Sequence, residues 1–180
     1  MQKCSRGFFL LNNEKNMKIS EAYAKIHTFI NDNKSLFEGI TAVLEFGEDR
    51  PTIADWSNSE NMGMLVAGDG IGSKSGLYFY TSLDGDILYI GKATKNNLHQ
   101  RVWDHVKTPE ALTDDLQRRY PNHVFRQCEQ SYIDAFQEGA VKLAVVTVSE
   151  PVVVSLLEVY LQTLYVKTHE KLPVLNKQIG

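Results

Sequence analysis

Tyr78, Tyr80, Tyr89 and Lys92 crowd one stretch, GLYFYTSLDGDILYIGKA, residues 76–93. Two apart on a strand, Tyr78 and Tyr80 share a face, and across a hairpin Tyr78 could meet Tyr89. Cross-strand aromatic packing is the ordinary reason for such residues. Proton transfer is the other, and it needs a phenol pKa of about 10 brought down by neighbouring cations. Lys92 and His105 are the candidates for that task. Arg101 and His105, at i and i+4, project from one helix face, either as a solvated pair or as groups aimed at a ligand. Glu158 is the only charged residue from Val152 to Val166, among Val, Leu and Tyr with Ser155, Gln162 and Thr163. A carboxylate on such a surface is costly unless it is paired or holds a metal. Alternatively, Ser155, Glu158 and Gln162 form a narrow solvated stripe. Both readings point Glu158 away from the core.

The elements that must position these residues follow from local pattern. Leu77–Thr81 and Ile87–Lys92 read as strands joined by SLDGD, whose Asp84-Gly85 is a hairpin turn signal. Leu98, Val102 and Val106 repeat at helical spacing. KLAVVTV, Lys142–Val148, is a buried-type strand, after which Ser149 as cap and Pro151 in the first turn open a helix to about Thr168. Upstream, Tyr23, Ile26, Phe29 and Ile30 mark an amphipathic helix from Ser20 to Asn33, and ITAVLEF (Ile40–Phe46) a strand. Residues 1–17 read as a disordered lead-in, 18–75 as an extension packed on the rest, and 76–180 as the main domain. That domain carries a polar insertion at about 108–139, with a helix near Glu110–Arg119.

In order, Gly76-Leu77-Tyr78, Tyr89-Ile90-Gly91 with ten residues between the tyrosines, Arg101, His105, Glu158 and Pro173 to Asn176 resemble the GIY-YIG nuclease family. The resemblance covers about residues 75–178. Any one of these motifs arises readily by chance; the whole ordered set rarely does. The spacers from Tyr89 to Arg101 and from Glu158 to Asn176 are longer than is common in the family. The resemblance implies an α+β fold, a small, mainly antiparallel three-stranded sheet flanked by helices; the N-terminal helix and strand, which lie outside the resemblance, are expected to add to one side. It also implies Mg²⁺-dependent (or Mn²⁺-dependent) hydrolysis of phosphodiester bonds in DNA. Tyr78 and Tyr89 would handle the attacking water and its proton, Arg101 the developing charge and Glu158 the metal, with His105, Lys92 and Asn176 in support. Hard oxygen coordination through one carboxylate, waters and substrate phosphate suits Mg²⁺.

Composition sets the limits. The chain has 180 residues, is 43% hydrophobic and has a formal net charge of −3. It can bury a full core, and it has no global attraction for polyanions, so any nucleic-acid site must be local. Leu44–Gly70 holds six acids against Arg50 alone, which reads as a solvated face. Cys4 and Cys128 make neither a disulfide framework nor a metal-ligand spacing, so a reducing cytoplasm is the expectation. FFLL, Phe8–Leu11, is too short for a signal-peptide core, and no apolar run reaches membrane-spanning length. His27, His99, His123 and His169 form no zinc set, and AGDGIGSKSG lacks P-loop spacing, so no small-molecule cofactor is expected. The expected partner is DNA, with a homodimer one route to double-strand cleavage. The alternatives are an RNA nuclease, or a domain of the same fold that binds nucleic acid or protein without cutting.

Overall fold

The computed structural model describes residues 16–46, 68–107, 120–121, 129–137 and 139–180. In chain order its elements are α1 (Ile19–Asp32), β1 (Ala42–Leu44), a 3₁₀ turn (Gly68–Ser73), β2 (Gly76–Ser82), β3 (Ile87–Ala93), α2 (Leu98–Trp103), β4 (Val106–Lys107), β5 (Tyr120–Pro121), α3 (Gln130–Gln137), β6 (Val141–Val148) and α4 (Pro151–His169). The architecture is α+β. One sheet runs β1-β6-β2-β3 with every pair antiparallel, and β4 pairs with β5 separately. The sheet thus has four strands; the fourth is the N-terminal extension's own β1, added at the β6 edge.

Turn chemistry sets the β2–β3 hairpin. Gly85 adopts φ of 86°, a left-handed value that a Cβ would resist. Its N–H donates to Ser82 C=O (3.0 Å), and Ser82 N–H donates to Asp86 C=O (2.9 Å). A bulge follows: Tyr80 pairs with Tyr89 but Thr81 pairs with Ile87, so Leu88 is the extra residue.

Alternation along β2 divides the core in two. Leu77 and Phe79 face the cluster made with α1 and α4, while Tyr78 and Tyr80 face the one made with the 3₁₀ turn, α2 and α3. All four side chains are fully buried. Burying an aromatic such as Phe79 stabilises the fold by about 1.5–3 kcal/mol, so β2 anchors both layers. On β3, Ile90 packs in the first cluster and Tyr89 against the second.

Several local expectations shift. α1 begins at Ile19 with Ser20 inside its first turn, because Ile19 N–H donates to Gly85 C=O (3.0 Å) and Lys18 pairs with Asp86 (2.9 Å). The lead-in ends sooner than expected: Met17 is in the core, its C=O accepting Ile87 N–H (3.0 Å), and Asn16 Oδ1 accepts the Tyr165 hydroxyl (3.1 Å). Pro151 opens α4 as expected, but Ser149 does not cap it; its hydroxyl accepts Thr41 N–H instead (3.0 Å). α2 stops at Trp103, and β4 starts where the helix was expected to end. The helix expected near Glu110–Arg119, both cysteines and His123 lie outside the described residues. Among the described residues, no helix is long and apolar enough to cross a membrane.

Candidate active site

The phenols meet around an imidazole. Tyr78 Oη lies 2.7 Å from His105 Nε2, and Tyr89 Oη lies 3.2 Å from the same nitrogen. The register corrects the expected pairing: Tyr89 stands opposite Tyr80, while Tyr78 stands opposite Gly91. Tyr78 and Tyr89 are therefore diagonal neighbours, with ring centroids 5.9 Å apart. Gly91 makes this possible. A Cβ there would collide with Tyr78 Cζ and come within 2.6 Å of Tyr89 Cε1 and 2.7 Å of Tyr78 Oη. The glycine of Tyr-Ile-Gly is the space into which both rings lean.

Tyr80, which is not among the residues that carry the family resemblance, belongs to the scaffold of the cluster. Its hydroxyl donates to Val102 C=O at 2.5 Å, tying β2 to the end of α2. Its ring also contacts those of Tyr78, Tyr89 and His105. The parity of Tyr78 and Tyr80 on one strand was the available signal. The docking of α2 that gives Tyr80 its partner was not visible locally.

His105 differs from expectation in position and in charge. It lies two residues past the end of α2, so it shares no helix face with Arg101, and it is only 6% exposed. Burial, and then the Arg101 charge, push its pKa down to about 4 against a weaker opposing pull from Asp104. At neutral pH the ring is uncharged. Arg101 is half-exposed and ion-paired to Asp104 (3.1 Å), both partners being open to solvent, so the pair adds little stability. The guanidinium's field reaches Tyr78, Tyr89 and His105 alike, lowering the pKa of each.

The phenols are not activated by cations as expected. Burial dominates at Tyr78 and raises its pKa well beyond the usual range, with Tyr89 and Tyr80 adding to the rise and Arg101 only moderating it. Tyr89 is also raised, first by burial and then by the Glu158 charge, while a hydrogen bond from Tyr78 and the Arg101 charge pull it down. Tyr89 is the partly exposed one of the two.

Glu158 and Lys92 approach from the other face. β3 parity puts Lys92 opposite Leu77, toward α4, and its Nζ lies 2.7 Å from Glu158 Oε2. The alternative of a solvated stripe does not hold, and Glu158 does not face solvent as both readings have it: Glu158 is 4% and Gln162 1% exposed, with Gln162 Nε2 donating to Ile90 C=O (3.3 Å). The stripe packs under the edge strand, which supplies its partners. Lys92 is thus engaged with the carboxylate rather than with a phenol, and Lys95 is exposed. The Glu158 charge contributes to the raised pKa of Tyr89, although the two side chains lie on opposite faces of the sheet.

Asn176 positions rather than reacts. Its Oδ1 accepts Ile90 N–H and its Nδ2 donates to Ile90 C=O, both at 2.9 Å, and the adjacent Leu175 N–H donates to Leu88 C=O (2.9 Å). The closing P-x-x-N segment covers the open edge of β3 and holds the strand between Tyr89 and Gly91.

Among the described residues, no group of three or more His, Cys, Asp or Glu gathers as a metal cage. A single Mg²⁺ needs no such cage, and Glu158 fits it: a nearly buried carboxylate whose Oε2 faces a cation by charge, without an aligned hydrogen bond. Comparison with protein-family models finds no match, and searches of curated proteins and of solved structures find none either.

Proposed function

We propose that the chain is a metal-dependent endonuclease of the GIY-YIG kind, hydrolysing DNA phosphodiester bonds. The observation that carries this reading is the convergence of Tyr78 and Tyr89 on His105 Nε2, within the field of Arg101, with the Glu158 carboxylate across the β3 edge and its charge still felt at Tyr89. On this reading β6, β2 and β3 are the family's three strands, and β1 is an addition.

Tyr89, the solvent-reached phenol, first releases its own proton to solvent, and the phenolate then takes the proton of the attacking water. Tyr78 donates a hydrogen bond to Tyr89 as that oxygen gains charge, which favours its ionisation. Neutral His105 holds both hydroxyls in place without adding a cation that would repel Arg101. Arg101, partly exposed, offers its guanidinium fork to the phosphoryl oxygens as charge grows there. Glu158 is the residue that would hold a divalent ion, which when bound supplies charge neutralisation at the phosphate and a more acidic water.

One observation favours a second reading. Glu158 already has a counter-charge in Lys92, as it would in a binding module that never takes a metal. Incubation with supercoiled plasmid and Mg²⁺, beside Glu158→Ala, Arg101→Ala and Tyr78→Phe, separates the two. Nicking by the wild type alone is expected. Equal turnover in all four would mean a contaminant or a misplaced site, and silence on DNA and RNA with binding retained would favour the binding module.

A further inference from the structure

Lys92 and Glu158 form an unequal pair. The lysine side chain is 31% exposed and the carboxylate side chain 6%, so the ammonium is the member that faces solvent. Their 2.7 Å contact lacks hydrogen-bond alignment at Oε2, so charge rather than direction holds it. Among the described residues Glu158 has no other ion-pair or hydrogen-bond partner, whereas its neighbour one turn on, Gln162, is committed on both sides: to Ile90 C=O, and to Gly180 N–H at 2.7 Å. Gln162 is held rigidly while Glu158 is held by one movable cation. A long lysine stem can swing outward at small cost, because its head already reaches water.

We propose that Lys92 is a displaceable counterion that competes with the divalent ion for Glu158. The inference rests on the reading of Glu158 as the metal carboxylate and deepens it. The ammonium keeps a nearly buried acid from standing alone, which would otherwise be costly. A divalent ion takes the carboxylate by turning the lysine out, and the freed ammonium then stands at the β3 edge as a cation for a substrate phosphate. Until the metal arrives, the pair masks the ammonium's positive charge and the carboxylate's negative one. The site therefore binds metal more weakly than its carboxylate alone would.

The test needs no nucleic acid. Mn²⁺ binding is measured by calorimetry on the full chain for the wild type, Lys92→Met and Glu158→Gln. Lys92→Met keeps the aliphatic stem and removes the competitor, so its Kd should fall by about tenfold, on the order of a lost ion-pair partner. Glu158→Gln should lose the site. A purely structural role for Lys92 predicts the reverse, unchanged or weaker binding, and that result overturns the proposal. Should Lys92→Met fail to fold, acetylation of Lys92 in the wild type, followed by mass spectrometry with and without saturating Mg²⁺, replaces it. Labelling should rise with metal, and equal labelling overturns the proposal. Absence of Mn²⁺ binding in both wild type and Lys92→Met also overturns it. Failure of the nuclease reading looks different: Lys92→Met binds metal more tightly than the wild type, yet the wild type with metal bound cuts no plasmid.

Discussion

Gly91→Ala is the sharpest probe of the phenol cluster, because it changes one methyl group and removes no polar atom. The added Cβ would sit 2.6 Å from Tyr89 Cε1 and 2.7 Å from Tyr78 Oη. Carbon atoms rest at about 3.5–4.0 Å, so a ring must retreat by about 1 Å. Tyr78 cannot give way freely, since it is fully buried between β2 and α2. Tyr89 is partly exposed, so it moves first, lengthening its 3.2 Å contact to His105 Nε2. Overpacking of this kind costs about 1–3 kcal/mol. At about 2 kcal/mol in a domain of this size, Tm should drop by about 4–8 °C. Misplacing a reacting group by about 1 Å should lower plasmid nicking by about 10²-fold, well beyond what the stability loss explains at assay temperature. Thermal melts, nicking rates and the His105 ring signals in NMR are measured together. A variant that melts with the wild type, keeps its His105 signals and cuts at the wild-type rate would refute the claim that Gly91 exists to admit the two rings.

Three further outcomes are expected. His105 has its folded-state pKa depressed from 6.5 to about 4, so the unfolded chain binds the proton more readily over that interval. The resulting stability is present above about pH 6.5 and is lost as pH falls toward about 4, by about 3 kcal/mol in all. Denaturant titrations from pH 7 to pH 4 should show His105→Gln losing that much less than the wild type, and parallel slopes would contradict the buried neutral ring. Asn176→Ala removes two hydrogen bonds to Ile90 and should cost about 1–3 kcal/mol, with faster hydrogen exchange at the Ile90 amide; an unchanged amide would mean the tail does not hold the edge. Tyr80→Phe deletes the donor to Val102 C=O and should cost about 1 kcal/mol while shifting the His105 ring signals, because the end of α2 loosens. Unmoved His105 signals would remove Tyr80 from the scaffold.

What could be read in advance was local. The Asp84-Gly85 turn, the apolar run of β6 and the proline-led start of α4 each carry their signal within a few residues, and each forms where expected. Register is a different matter. The bulge at Leu88 moves Tyr89 opposite Tyr80, and nothing between Ile87 and Gly91 announces it, because a bulge is decided by packing on both faces at once. The spacing of Leu98, Val102 and Val106 reads as helical through His105, yet Val106 pairs instead with Pro121, 15 residues further along the chain. Strand parity did contain one usable sign. Tyr89 and Lys92 are three apart on a strand, so their side chains must leave on opposite faces, which already separates Lys92 from the phenols. The burial of Glu158 beneath the edge strand depends on how α4 lies across the sheet, and the helix's own sequence, apolar almost all round, does not select a face.

On the proposed reading groups from both layers act together, and β3 is the strand around which they would meet. A sheet's backbone separates its two faces, and side chains from opposite faces can meet only around an edge strand. β3 is such an edge, with Tyr89 leaving toward α2 and Lys92 toward α4. Gly91, between them, contributes no side chain at the level where Tyr78 and Tyr89 approach. The Glu158 charge is felt at Tyr89 from across that strand, which raises the phenol's pKa; neutralising the carboxylate would remove that push. Whichever cation holds Glu158 therefore also tunes Tyr89. With Lys92 as a permanent partner, the phenol stays protonated and the chain can bind without cutting. With Lys92 as a partner that leaves, the same two residues connect metal arrival to the readiness of the base.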